Sequence, residues 1–405
     1  MADVGVVMPV YKQKAEYLRA ALESMLRQRY PYFRMTIVVD GAPQDVLPII
    51  RETVKDDPRF QVFVFPNNQG VAQALNHGFN QLLKDPEIRY LTWISSDNVY
   101  YPEFLSTLRQ ALLTSPPHVG VVYSCFQDID EMGKPLLDNS RLLVRRRYQL
   151  RTKEELLDFH FIGVSFMYKA AYARRIDGYR LEPVEDYDYF LRLTEHCDVR
   201  YVPDVLMAYR VNSPFSISAQ LRRSNEQQRR WRYTFQLAKW EARVRRRISP
   251  ELTVLFPVFA SSENEVQTYE NLLDQYFSNF HLVVLDGTTH QRATALLQTI
   301  SDPRVRFVPM APSLPTTIGR LMPEIGTPYT LFLTPGPPLH AYFLHVLVQS
   351  LNNPHRQRHL AAFLPQNCPD SPVLYRDQPE PVEPVFFHLY RTEQLRHVLQ
   401  RRLAR

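Results

Sequence analysis

Four short apolar runs in the first hundred residues alternate with helical patterns, and this alternation narrows the fold more than any other feature of the chain. Residues 4–10 form the first run, closed by Met8-Pro9 and Val10. Residues 17–26 then place Leu18, Ala21, Leu22, Met25 and Leu26 at helical spacing. Residues 35–39 form a second run that ends in Asp40-Gly41. A helical stretch follows, then a third run at 60–65, the turn Pro66-Asn67-Asn68-Gln69-Gly70, and a helical pattern over 71–83. Residues 90–94 are the fourth run. Strands alternating with helices predict a mostly parallel α/β sheet with helices on both faces. Asp40 and Asp97 then reach the same sheet edge by topology alone, at the strand ends where open α/β sheets take ligands.

The chemistry concentrates in two segments. In Leu91-Thr92-Trp93-Ile94-Ser95-Ser96-Asp97-Asn98 an apolar run ends abruptly in small polar residues and one acid. A carboxylate there can hold a divalent cation, and a cation can hold a diphosphate. It can equally cap the helical pattern that begins near Phe104. In Val184-Glu185-Asp186-Tyr187-Asp188-Tyr189-Phe190-Leu191-Arg192, helical spacing lets Asp188 pair with Arg192 and sends Asp186 to another face. Glu185 and Asp186 also suit the first turn of a helix through its dipole.

These segments, taken together, resemble a family 2 glycosyltransferase with the nucleotide-sugar-binding fold called GT-A. "VVMPVYKQKAEYLRAALESMLRQRYPYF" is similar to the family's opening strand and helix, and "IVVDGA" to its base-binding strand end. "NNQGVAQALNHGF" resembles its Asn-x-Gly turn, "SSDNVYYPEFL" stands where its Asp-x-Asp metal motif falls, and "EDYDYFLRL" resembles its catalytic-acid motif. The resemblance spans about residues 3–218, and within the family it leans toward enzymes of bacterial spore-coat polysaccharide.

The resemblance implies an inverting transfer of a sugar from a nucleoside-diphosphate sugar, with UDP or dTDP as the nucleotide, to a hydroxyl acceptor in polysaccharide or glycoconjugate synthesis. It implies Asp186 as the base that takes the acceptor's proton, with Glu185 on the acceptor side. Asp97 would be the metal ligand, holding Mn²⁺ or Mg²⁺. Pro9, Tyr11, Asp40, Asn68, Gly70, Asn76 and Ser96 would line the nucleotide site, Asp40 bonding the base and Tyr11 stacking on it. The chain departs from the family in three places: Val39 replaces the first acid of the second motif, Asp97 is the sole acid of the metal motif, and Asn212 stands where a His often follows the Tyr-Arg pair. This thinner acid set keeps two other readings open, a sugar nucleotidyltransferase and a non-catalytic nucleotide-sugar-binding scaffold. His160 reads as a half-buried structural histidine, and Arg145-Arg146-Arg147 as either a diphosphate contact from a loop or a solvated charge run.

Composition fits a globular enzyme. The 405 residues are 45% hydrophobic and 12% aromatic, enough for two or three cores. The three cysteines, Cys125, Cys197 and Cys368, are odd in number and far apart, which argues against a disulfide framework. The first residues run directly into a strand, leaving no leader pattern. No apolar run nears the ~20 residues of a membrane span. A cytoplasmic enzyme is expected. Its partners would be the sugar donor and a carbohydrate or lipid-linked acceptor, with room for peripheral membrane contact or a homo-oligomer. No nucleic-acid recognition motif is present, and no nucleic-acid partner is expected.

The net charge of +6 is local: residues 219–250 hold ten Arg or Lys against two Glu, leaving the remainder near neutral. In this stretch Trp231, Phe235, Ala238 and Ala242 make one apolar stripe, and Tyr233, Leu237, Trp240 and Val244 a second on the opposite face. The expectation is a basic bridging helix over 219–250 packed between two bodies. Gln227 to Trp231 also fits a Gln-x-x-Arg-Trp motif of processive relatives, which implies an acceptor-side role for Trp231.

Residues 251–405 read as a worn repeat of the first domain, expected at 1–218. "LTVLFPVF" echoes "VGVVMPVY", "TYENLLDQYFSNFHLVVLDG" echoes "ALESMLRQRYPYFRMTIVVDG", and "YTLFLTPGPPL" falls where "YLTWISSDNVY" fell, with Gly336 at the place of Asp97. The expected second domain is degenerate, GT-A-like and catalytically empty.

Overall fold

Strand β1 (Val4–Val10) is fully enclosed because its neighbours come from both sides of the sheet. The computed structural model describes residues 1–403 apart from 44, 212, 214–220, 222–223, 311, 337, 365–370 and 378–384. Cys368, Asn212 and part of the 219–224 segment therefore lie outside the described residues. Two compact units divide the chain, Met1–Ala238 and Lys239–Arg405.

In the first unit β1 is followed by α1 (Ala15–Leu26), β2 (Phe33–Asp40), α2 (Val46–Val54), β3 (Phe60–Phe65), α3 (Val71–Leu82), β4 (Tyr90–Trp93), β5 (Val99–Tyr100) and α4 (Phe104–Leu113). Then come β6 (Val119–Ile129), α5 (Asn139–Gln149), β7 (Phe166–Lys169), α6 (Ala170–Ala173), α7 (Glu185–Leu193), β8 (Asp198–Arg210) and α8 (Asn225–Arg246). The eight strands lie in the order β3-β2-β1-β4-β7-β6-β8-β5. The first four are parallel, as the alternation predicts, and β7 enters antiparallel between β4 and β6. The chain thus moves outward from β1 through β2 to β3, then returns to β1's other side at β4. That reversal opens a crevice at the carboxyl ends of β1 and β4.

Packing explains why these runs are strands buried on both faces. Val4, Val6, Met8 and Val10 pack with Leu18, Leu22 and Met25 of α1 and Ile37 of β2. Each such side chain contributes about 1.5–3 kcal/mol on burial. On the other face α3 lies so close to β1 that a Cβ at Gly78 would sit 2.5 Å from Val7 Cγ1. Cys125 and Cys197 are both free thiols in the interior.

The second unit has β9 (Leu252–Val258), α9 (Glu263–Leu273), β10 (Phe280–Asp286), α10 (Arg292–Leu297), β11 (Val305–Pro309), α11 (Leu314–Leu321) and β12 (Tyr329–Phe332). It continues with α12 (Phe343–Asn352), β13 (Ala361–Phe363), β14 (Leu374–Arg376), β15 (His388–Arg391) and α13 (Thr392–Leu403). Its sheet order is β11-β10-β9-β12-β15-β13-β14. Strand for strand this repeats β3-β2-β1-β4-β7-β6, with the same parallel pairings and the same antiparallel insertion of β15 for β7. Pro9 and Pro257 are both next to last in their central strands, where a missing N–H costs the ladder least. The second unit is thus a degenerate GT-A-like α/β domain. It departs at the edge: β8 runs parallel to β6, whereas β14 is a short antiparallel partner of β13.

Helix α8 corrects one expectation. Of its two apolar stripes, Ala238 and Ala242 are fully buried, but Tyr233, Trp240 and Val244 are 37%, 42% and 56% exposed. A two-faced stripe needs neighbours on both sides. The first stripe finds aromatic ones, Phe235 lying on Tyr187 with centroids 4.4 Å apart, while the second remains partly exposed along its length. The first unit also runs on to Ala238, past residue 218, so the front of α8 belongs to it.

Candidate active site

A cleft of about 650 Å³ opens in the first unit at the β1/β4 crevice. It is lined by Pro9, Tyr11, Asp40, Asn68, Gly70, Ser96, Asp97, Glu185, Asp186 and Trp231. Nine of these come from three strand ends, one turn and one helix start; Trp231 comes from α8.

Asp40 ends β2 and is 3% exposed. Its Oδ2 accepts from Asn68 Nδ2 (3.0 Å) and the Gly70 N–H (3.0 Å), and its Oδ1 from the Gln69 N–H (2.8 Å). A carboxylate offers about four lone-pair sites, so one remains on Oδ1. The close approach of the two turns requires both glycines. Gly41 has φ +61°, and a Cβ there would lie 2.2 Å from Asn68 N; Gly70 has φ +96°, and a Cβ would meet Glu182 Oε1 at 2.6 Å. Glu182 accepts from the Ala72 N–H (2.7 Å) at the start of α3 and also lines the cleft.

Asp97 lies in the turn after β4 and is 6% exposed. Burial pushes its carboxyl above the usual value, against hydrogen bonds from Ser213 and Ser95 and the charge of Arg210. Arg210 fixes the turn: its Nε donates to Asp97 O (3.1 Å), its N–H to Asn98 Oδ1 (3.0 Å), and its guanidinium stacks 4.0 Å over the Tyr17 ring. Gln13 Nε2 donates to Ser96 Oγ at 3.3 Å. No group of three His, Cys, Asp or Glu able to hold a metal occurs among the described residues. One buried carboxylate fits a cation that draws its other ligands from phosphate and water, as Mg²⁺ commonly does.

Asp186 sits in the first turn of α7. Its Oδ1 accepts from the Tyr187 N–H (2.7 Å), and its Oδ2 lies 3.8 Å from His160 Nε2. Asp188, two residues on, is fully buried and bonded to Arg180 and Arg192 (Nε–Oδ2 3.2 and 2.9 Å), the i,i+4 pair its spacing predicts. Asp188 anchors the helix and leaves Asp186 to the cleft. Trp231, Phe235, Tyr187 and His160 then form a continuous aromatic wall, with successive centroids 5.0, 4.4 and 4.8 Å apart.

Three expectations shift. Asn76 is absent from the cleft lining: its amide donates to Tyr179 O (2.9 Å) and accepts from the Tyr179 N–H (2.6 Å), tying α3 to the segment before α7. Arg145 belongs to helix α5 rather than a loop and is paired to Asp128 at 2.6 Å. His160 stands in the cleft beside Asp186 rather than serving only as core. Sequence reading also passed over Glu182, Arg210, Tyr187 and Phe235 as site residues. Only Tyr187 and Arg210, adjoining recognised motifs, offered a signal.

Residues 5–177 match Glycosyl transferase family 2. The match lies within the first unit, which resembles this family. The chain's relatives include an uncharacterized glycosyltransferase of Rickettsia bellii, 21% identical over 344 residues that cover 75% of this chain and 49% of that protein. Another, from Haemophilus influenzae, is 32% identical over 98 residues, covering 24% of this chain and 37% of that protein. The chain spans about half the length of the Rickettsia bellii and Rickettsia felis relatives. Among solved structures, the mannosyltransferase PcManGT from Pyrobaculum calidifontis, in complex with GDP-Man and Mn²⁺, aligns with a TM-score of 0.43 at 16% identity over 60% of this chain and 64% of that one. S. aureus TarS aligns with a TM-score of 0.43 at 16% identity, over 59% and 49%. Among the described residues no helix is long and apolar enough to cross a membrane.

Proposed function

We propose that the first unit transfers a sugar, with inversion, from a pyrimidine nucleoside-diphosphate sugar (UDP or dTDP) to a hydroxyl of a carbohydrate or lipid-linked acceptor in polysaccharide or glycoconjugate synthesis. The observation that carries this reading is the meeting of Asp40, Asp97 and Asp186 in one cleft. Asp40 uses its remaining lone pair to accept from the base, beside the half-exposed Tyr11 ring. Asp97 is the metal ligand; a divalent cation bound there, Mn²⁺ or Mg²⁺, supplies charge neutralisation for the diphosphate. Asp186 takes the proton of the acceptor hydroxyl as its oxygen bonds the anomeric carbon. The bond from that carbon to the diphosphate oxygen breaks on the opposite face, and the leaving nucleoside diphosphate keeps the electron pair. Trp231, at the open end of the aromatic wall, suits an acceptor sugar's apolar face. The second unit takes no chemical part.

Incubating the full chain with a panel of nucleotide sugars, acceptors and either cation tests the proposal. Release of a nucleoside diphosphate is expected; release of pyrophosphate would mark a nucleotidyltransferase instead, and binding with no turnover a scaffold. Asp186→Asn should lower transfer at least ~10²-fold, a common size for a general base, with donor binding near wild type.

A further inference from the structure

Two buried polar atoms in the cleft have no partner among the described residues. Glu185 opens α7, is 6% exposed and lines the cleft, yet its Oε2 meets no hydrogen-bonding group among the described residues. Trp93 ends β4, just before the Asp97 turn, and its indole N–H is likewise buried and, among the described residues, without an acceptor, while Trp93 itself lines the cleft. Polar groups enclosed in this way are normally satisfied by something. Both belong to the cleft, so a ligand there is the natural source.

The surroundings decide which form of Glu185 is present. The charges acting on it are acidic: Asp186 beside it and Glu182 from the preceding turn. Glu182 is engaged by the Ala72 N–H, and His160 faces Asp186 rather than Glu185. Arg180 and Arg192, the cations nearest in sequence, are committed to Asp188. Helix α8 brings the aromatic rings of Trp231 and Phe235 to the cleft. Burial, and then repulsion from Asp186, push the Glu185 carboxyl up to about 8.

We infer that Glu185 works as the neutral acid, its O–H and the Trp93 N–H both donating to hydroxyl oxygens of a sugar bound in the cleft. The inference rests on the sugar-transfer reading and deepens it. Asp186 keeps the negative charge and accepts a proton, while its neighbour gives a hydrogen bond and holds the sugar in place. One adjacent pair of carboxyls thus divides into a base and a donor because a second charge so close is unfavourable.

The test is kcat and KM for each substrate of the full chain from about pH 6 to pH 9. Wild-type kcat/KM should fall as pH rises through about 8, where the neutral form is lost. E185Q keeps an N–H donor and should lose less than about tenfold, without that alkaline fall. E185A should lose about a hundredfold, and W93F about tenfold, as expected for removing hydrogen bonds in a desolvated site. A rise in donor KM places the contact on the donor sugar; a rise in acceptor KM places it on the acceptor. A wild-type profile flat through pH 8, with E185Q as damaging as E185A, would overturn the inference, since Glu185 would then act as an anion. If the wild type transfers no sugar at all, the functional reading fails while Glu185 can still be read by thermal unfolding. Between its ordinary value of 4.5 and about 8, the folded chain would hold a proton that the unfolded chain has lost. Stability should then decline with rising pH across that window, and less so in E185Q. Equal slopes for the two proteins would overturn the neutral-acid assignment.

Discussion

Asp40 and Asp286 close the second strand of their respective sheets, and they have opposite uses for the same carboxylate. Asp40 takes three hydrogen bonds from residues 68–70, a turn that follows the neighbouring strand β3, and keeps one lone pair. Asp286 takes four bonds from its own downstream segment: N–H and Oγ1 of Thr288 on Oδ1 (2.8 and 2.6 Å), N–H and Oγ1 of Thr294 on Oδ2 (2.8 and 2.7 Å). All its lone pairs are used. The ends of β4 and β12 differ as sharply: one carries Asp97, the other Gly336, whose N–H reaches only Thr268 Oγ1 at 3.4 Å. The order of six strands survives because the strands' own apolar runs hold it. The carboxylates and their partners, which sit in strand ends and turns, differ while that strand order stays the same.

The largest test of this contrast is at Asp97, the proposed metal ligand, and at Gly336. Asp97→Asn should weaken metal-dependent binding of a nucleoside diphosphate about a hundredfold by calorimetry, because the cation loses its one protein carboxylate. Gly336→Asp should create no second binding event, since Asp286 at the end of β10 has no free lone pair for a base. Equal affinity of wild type and Asp97→Asn with and without metal would remove Asp97 from the site. A new nucleotide site in Gly336→Asp would show that the second unit is closer to function than its hydrogen bonds allow.

A smaller effect is expected at the base-binding end. Asp40→Asn should weaken nucleotide binding about tenfold, the size of one hydrogen bond to a charged group. Asp286→Asn should leave nucleotide affinity where it was. If both substitutions weakened binding alike, the distinction between an open and a sealed carboxylate would fail.

Much of this arrangement was legible in the sequence, for a physical reason. Strands buried on both faces must be continuous apolar runs, so β1, β2 and β4 and their copies β9, β10 and β12 announce themselves. Asp40, Asp97 and Asp186 were legible because each follows such a run or opens a helix inside a motif. Other residues left no such trace. His160 reaches the cleft from a segment far from any motif, Phe235 reads in the sequence only as one member of an apolar stripe, and only the folded chain brings both to Tyr187. Asn76 looked like a ligand from its place in a motif, but the Tyr179 backbone that occupies both its amide atoms is 103 positions away. The two stripes of α8 gave a correct period and a wrong environment, since periodicity reports a face and not what covers it. The edge replacement of β8 by β14 was also hidden, as a three-residue strand carries almost no pattern.

The smallest expected effect falls on Asp286 itself. Burial alone would raise its carboxyl, but the four bonds from Thr288 and Thr294 outweigh that and hold it below the usual 3.8. A depressed carboxylate stabilises the fold above the unfolded value and loses that contribution as pH falls through the folded one. Asp286→Asn should therefore cost about 1–3 kcal/mol locally near neutral pH, read as faster amide hydrogen exchange at Thr288 and Thr294. The difference from wild type should shrink as pH drops below 3.8. Because the second unit has no part in the proposed chemistry, sugar transfer by the same variant should stay near wild type at neutral pH. Exchange at Thr288 and Thr294 that ignores the substitution would mean the four bonds do not seal the site, and the sharpest contrast between the two units would be lost.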